Sequence, residues 1–115
     1  MIELSYRNME VSLMDGYRIV NEPDEGKFFV VTESGERLGE MEYVLKDGLI
    51  TVLHTNLEPV LQGTGMGQKL VDFVADYARD NNFKVNASCF YARKVLAKHA
   101  DRYADILGPE VDAVL

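Results

Sequence analysis

"LQGTGMGQKL", residues 61–70, places glycine at 63, 65 and 67, immediately ahead of an apolar periodicity that reads as a helix. In the stretch that follows, Leu70, Val71, Phe73, Val74, Tyr77 and Ala78 recur with the spacing of one helix face. Asp72, Asp76, Arg79 and Asp80 fall on the other side, and Asn81-Asn82 supplies a stop, because Asn tolerates the left-handed conformation at helix ends. One glycine is enough for a tight turn into a helix, so three at alternate positions ask for a further reason. The phosphate-loop pattern G-x-x-x-x-G-K-[ST] is absent and the dinucleotide pattern G-x-G-x-x-G fails on spacing. What remains is the bare mechanism: unpaired N–H groups at a positive helix N-terminus, with no Cβ atoms to keep an anion at a distance. Gln62 offers an amide donor to such an anion and Lys69 a positive charge.

Upstream, the chain reads as strands. "VSLMDGYRIV" sets Asp15-Gly16 between two alternating apolar runs, the signature of a hairpin. "KFFVVTESGERLGEMEYVLKDGLITVLHT" holds three strands, 27–32, 37–46 and 49–55, separated by polar, glycine-bearing turns. Turns this short make the strands antiparallel neighbours. Downstream of the helix, "FKVNASCF" reads as a strand, and Ala92, Val95, Leu96 and His99 mark a second helix before "GPE" ends regular structure. The expected fold is α+β: an antiparallel meander, then helix, strand and helix, giving a mixed sheet with a crossover. At 115 residues the chain matches one domain, with residues 1–26 as a possible extra N-terminal hairpin.

Charge narrows the partners. The net charge is −7, yet residues 61–100 carry six basic side chains against three acidic, while residues 1–60 carry five against twelve. A nucleic acid as main partner is not expected of such a chain, whereas a small anion in the middle third is. No apolar run reaches membrane-span length and the start lacks the pattern of a signal peptide, so a cytoplasmic protein without a membrane partner is expected. One cysteine and two histidines are too few for a zinc signature, and no metal is expected.

"LQGTGMG" resembles the acyl-CoA pyrophosphate loop of the GNAT N-acetyltransferase superfamily, [QR]-x-x-G-x-[GA], with Gln62, Gly65 and Gly67 at the fixed positions. The segments "HT" (His54-Thr55), "NLEPVL", "YARDNN", "SCF" and "HADRYADIL" extend the resemblance to a short, stand-alone group, over roughly residues 27–107. The resemblance implies acetyl-CoA as cosubstrate, with pantetheine threaded between two splayed strands. Residues 52–57, including Thr55 and Leu57, would form one wall, and Cys89 would lie near the end of the other. Gln62, Gly63, Thr64, Gly65, Met66, Gly67, Gln68 and Lys69 would hold the pyrophosphate, and Lys94, with Arg93 and Lys98, either meets the 3′-phosphate or forms a solvated helix face.

For the chemistry, the resemblance points to Cys89, as proton donor, as nucleophile or simply as a small packed side chain. His54 is a candidate base or a hydrogen-bonding strand-end residue, and His99 a weaker one at a helix end. Tyr91 reads chiefly as packing. Glu33, Glu36, Glu40, Glu42 and Asp47 either coat the sheet or draw in a cationic acceptor. The expected activity is N-acetyl transfer to a small-molecule or lysine-type amine, by a monomer or homodimer, and the alternative is a non-catalytic CoA-binding or sensing module.

Overall fold

The computed structural model describes residues 10–13 and 16–109, with side chains from residue 16 onward. Six strands form one sheet in sequence order: β1 Glu10–Leu13, β2 Tyr17–Glu22, β3 Lys27–Thr32, β4 Arg37–Lys46, β5 Leu49–Leu57 and β6 Lys84–Ala87. The first five are antiparallel neighbours and β6 lies parallel to β5. The crossover between those two is the helix α1, Met66–Asn81, and β6 is followed by α2, Phe90–Lys98, and a single turn α3, Ala100–Tyr103.

The expected hairpin is present in its strands, since β1 pairs with β2 antiparallel. Its turn residues 14 and 15 lie outside the described residues. β2 continues the main sheet, pairing along its whole length with β3 and sending Ile19 into the core. β5 runs two residues past the expected end at Thr55. The expected strand 83–90 is cut to Lys84–Ala87, so Cys89 is a helix cap and not a strand residue. The cause is a handover at Val52: its carbonyl accepts the N–H groups of both Ser88 and Cys89, at 3.0 and 3.1 Å, which ends the parallel ladder and turns the chain into α2.

The core lies between the sheet and α1. Phe28 stacks on Tyr43 with centroids 4.6 Å apart and meets Phe73 and Tyr77 of α1 edge-on. Full burial of one such ring stabilises by roughly 2–3 kcal/mol. The Tyr43 hydroxyl, buried beside Phe28, donates to Asn21 Oδ1 at 2.8 Å. The helix stops where expected, at Asn82 with φ 59°.

The "HADRYADIL" tail acts as a clamp on α1. Tyr103 is buried and its hydroxyl donates to Asp72, while Asp105 accepts two bonds from Arg79 at 2.8 and 3.1 Å. Leu107 then bridges to Val85, covering the outer edge of β6 at that residue.

Candidate functional site

Two irregularities in β5 create the site. The first is a bulge. Tyr43 pairs with Val52 but Glu42 pairs with His54, leaving Leu53 as an extra residue. Directly opposed residues share a sheet face, so the bulge resets the alternation. Val52 and Thr55 lie on the face of Tyr43 and Met41, toward the core, whereas His54 and Asn56 lie on the opposite face with Glu42 and Glu40.

The second irregularity is a fork. β6 pairs with β5 only as far as Val52, and β5 continues to Leu57 with β4 on one edge and no β6 on the other. The Glu58 N–H donates to Leu38 of β4, so the Leu57 carbonyl, in the same peptide unit, points away from β4 into the opening. It accepts the Gln62 side-chain amide there at 3.1 Å. By strand alternation, the backbone groups of Thr55 face the opening as well.

The chain beyond β5 folds into a 3-10 turn, Pro59–Leu61, anchored by buried Leu61. The Leu61 carbonyl receives the hydroxyl and the N–H of Thr64, and the Thr64 hydroxyl in turn accepts the Met66 N–H at 3.3 Å. The intrahelical ladder begins with Lys69 N–H on the Gly65 carbonyl. The Gly67 and Gln68 N–H groups precede it, at the positive end of a 16-residue helix.

The three glycines turn out to serve two different purposes. Gly63 and Gly65 have φ of 75° and 85°, where a side chain is strained, and the space in front of each is open. Gly67 is helical, and a Cβ there would stand 2.1 Å from the Tyr91 hydroxyl. A side chain at the third glycine would therefore have to displace the α2 aromatic. Burial, and then the neighbouring Cys89, raises the pKa of the Tyr91 phenol.

A cleft of about 400 Å³ opens here, bounded by Thr55, Leu57, Gln62, Met66, Tyr91 and the glycines 63, 65 and 67. At its side the Thr55 hydroxyl and the Cys89 thiol are 3.4 Å apart and hydrogen-bonded. The expected site residues divide accordingly. Thr55, Leu57, Gln62, Gly63, Gly65, Met66 and Gly67 come together, and Cys89 joins them through Thr55. The Thr64 side chain is spent on holding the loop, and the Gln62 amide is engaged with Leu57, whereas sequence reading expects it to face an anion. Gln68 and Lys69 stand behind the loop on α1, and Lys94 is exposed on α2, outside the cleft lining. His99 closes α2 as its C-cap. His54 is exposed on the other face of β5, so the partner of Cys89 is Thr55 and not His54. Tyr91 and Leu61 are lining residues that the sequence alone does not single out as binding groups.

The opposite side of the sheet carries a second, larger cleft of about 570 Å³ near the end of β5. Of the five acidic residues named from the sequence, only Glu40 borders it; Glu33 and Asp47 sit in turns. Among the described residues no group of His, Cys, Asp and Glu is arranged to hold a metal ion, and no helix is long and apolar enough to cross a membrane.

Comparison with known proteins agrees with this architecture. The solution structure of a GCN5-like candidate N-acetyltransferase from Staphylococcus aureus superposes with a TM-score of 0.65 at 33% identity, over 83% of this chain and 91% of that one. A GCN5-related N-acetyltransferase from Sphaerobacter thermophilus is more distant, with 16% identity and a TM-score of 0.49 over 65% of this chain and 28% of that one. No curated protein matches the sequence significantly. The family model of the GCN5-related N-acetyl-transferases matches residues 27–106, from β3 through the C-terminal clamp, and the chain belongs to that family.

Proposed function

We propose that the protein transfers an acetyl group from acetyl-CoA to an amine. The observation that carries this reading is the fork itself: the edge of β5 past Val52, uncovered by β6 and met only by the Gln62 amide at Leu57, leads from the Thr55–Cys89 pair to the N-terminus of α1. A pantetheine arm needs backbone partners along an extended path, and that edge offers them. A pyrophosphate needs N–H donors with no side chain in the way, which the open space before Gly63 and Gly65 and the N–H groups of Gly67 and Gln68 provide. When bound, acetyl-CoA supplies the activated thioester.

The protein's own residues then have separable tasks. The edge of β5 fixes the donor and offers N–H groups to a developing oxyanion. Cys89 shares a proton with the Thr55 hydroxyl and stands ready to pass one to a departing sulfur. His54, across the sheet, is on the correct face to accept a proton from an amine arriving on that side.

Calorimetry with acetyl-CoA, followed by thiol release over a panel of primary amines, tests the reading. Micromolar binding and amine-dependent thiol release are expected. Binding without turnover on any amine would favour a CoA-sensing module, and absence of binding would remove both.

A further inference from the structure

Three polar side chains line the cleft on the glycine-loop face, and two of them are already engaged. The Thr55 hydroxyl is bonded to the Cys89 thiol, and the Gln62 amide to the Leu57 carbonyl. The third is the Tyr91 hydroxyl, which has no hydrogen-bond partner among the described residues. The loop's own hydroxyl, on Thr64, is taken up by the Leu61 carbonyl and the Met66 N–H. Tyr91 is thus the side-chain donor that the cleft leaves uncommitted.

Where that donor stands follows from Gly67. A Cβ on this residue would meet the ring carbons Cζ and Cε2 at 2.6 and 2.8 Å and the hydroxyl closer still, so the bare Cα leaves room for the ring against the first turn of α1. The Cα–Cβ bond of a helical residue tilts toward the helix N-terminus. A group standing where that Cβ would be is therefore beside the N-terminal turn, where the N–H groups of Gly67 and Gln68 precede the intrahelical ladder. A phenol donates a hydrogen bond at neutral pH, and a bond to an anionic oxygen is among the strong ones.

We propose that Tyr91 is a phosphate-binding residue: its hydroxyl donates to an oxygen of a pyrophosphate that the Gly67 and Gln68 N–H groups hold from the helix side. That the pyrophosphate belongs to acetyl-CoA rests on the acetyl-transfer reading above, whereas the affinity for a pyrophosphate does not. The assignment separates Tyr91 from the proton transfer, which stays with the Thr55–Cys89 pair.

Titration of the whole chain with acetyl-CoA, with inorganic pyrophosphate, and with acetyl-pantetheine, which lacks the pyrophosphate, tests it. Tyr91→Phe keeps the ring and removes only the donor. The variant should bind acetyl-CoA and pyrophosphate about tenfold more weakly, the value of one hydrogen bond to a charged group, and acetyl-pantetheine as the wild type does. On the wild-type chain, with no variant needed, the resonance of the Tyr91 ring carbon that bears the hydroxyl should move as pyrophosphate saturates the site. Equal affinity of variant and wild type for acetyl-CoA would overturn the proposal. So would an equal loss for acetyl-pantetheine, which would put the hydroxyl on the arm, or a lower kcat at unchanged affinity, which would give it to the departing sulfur. Acetyl-CoA binding that Tyr91→Phe leaves untouched sinks only this assignment. Tyr91-dependent pyrophosphate binding without acetyl-CoA binding sinks only the acetyl-transfer reading, and binding of neither ligand by the wild type sinks both.

Discussion

The two faces of β5 past the bulge are built in different ways. On the glycine-loop face the recognition elements are backbone groups: a free strand edge, a helix N-terminus and two residues with positive φ. On the other face they are side chains, with charges from β3, β4 and the turns brought around Phe29. The first arrangement suits a ligand with a repeating amide and phosphate skeleton. The second is closed by its own ion pairs, Arg37 with Glu25 over the Phe29 ring and Lys27 with Glu40. A single strand with one extra residue separates them, since without the bulge at Leu53 Thr55 and His54 would exchange faces.

If that division is real, substitutions on one face should spare the other. The largest effect is expected at Cys89. Cys89→Ala should lower kcat by about 100-fold, the usual weight of a positioned proton donor, while acetyl-CoA affinity stays unchanged. Cys89→Ser should retain more activity. Unchanged turnover in both variants would make the thiol a packing group.

The next effect is steric. Gly67→Ala puts a methyl where the Tyr91 hydroxyl sits and should cost about 1–2 kcal/mol of stability, read as a lower Tm. Adding Tyr91→Ala should restore much of that stability, if the clash and not the lost glycine is the cause. Gly65 is a poorer probe, because its φ of 85° would strain any side chain before a ligand is considered.

A smaller effect, neutral between the faces, is expected from the clamp. Tyr103→Phe removes the bond to Asp72 and should cost about 1–2 kcal/mol of stability, read as a lower Tm, with acetyl-CoA affinity kept. Loss of that affinity would show that the clamp belongs to the donor site.

The last effect is on pH dependence. Burial, then the neighbouring Tyr77, pushes the Tyr43 phenol up to about 12, and burial, then the bond to Asp72, raises Tyr103 further. In both cases the folded state holds its proton more tightly than the unfolded chain. Their contribution is therefore intact below pH 10 and is lost as pH rises from about 10 to 12. Chemical denaturation at stepped alkaline pH should show that decline, and Tyr43→Phe should flatten it.

Much of the first face was legible in the sequence, because backbone requirements leave marks on residue type. Positive φ demands glycine, so Gly63 and Gly65 announce the loop; Asn82 announces the end of α1. Alternation marks β4 and β5, and "KFFVVT" reads as a strand, as β3 is. What did not show was any feature set by tertiary neighbours. Gly67 looks like its two companions but answers to Tyr91, twenty-four positions away. The bulge at Leu53 has no glycine or proline to betray it, so the sequence could not place His54 and Cys89 on different sides. The charged cleft is less legible still, since Glu25, Lys27, Arg37, Glu40 and Glu58 each resemble ordinary surface charges until the meander folds them around one ring.

The central claim is that the donor uses one face of β5 only. Amide chemical-shift mapping with acetyl-CoA addresses it most directly. The account predicts large shifts at Thr55, Leu57, Gly63, Gly65, Gly67, Gln68 and Tyr91, with Phe29, Glu40 and Glu58 unmoved. Shifts centred on Phe29 and Glu40 instead, or no shifts at the glycine loop, would contradict it.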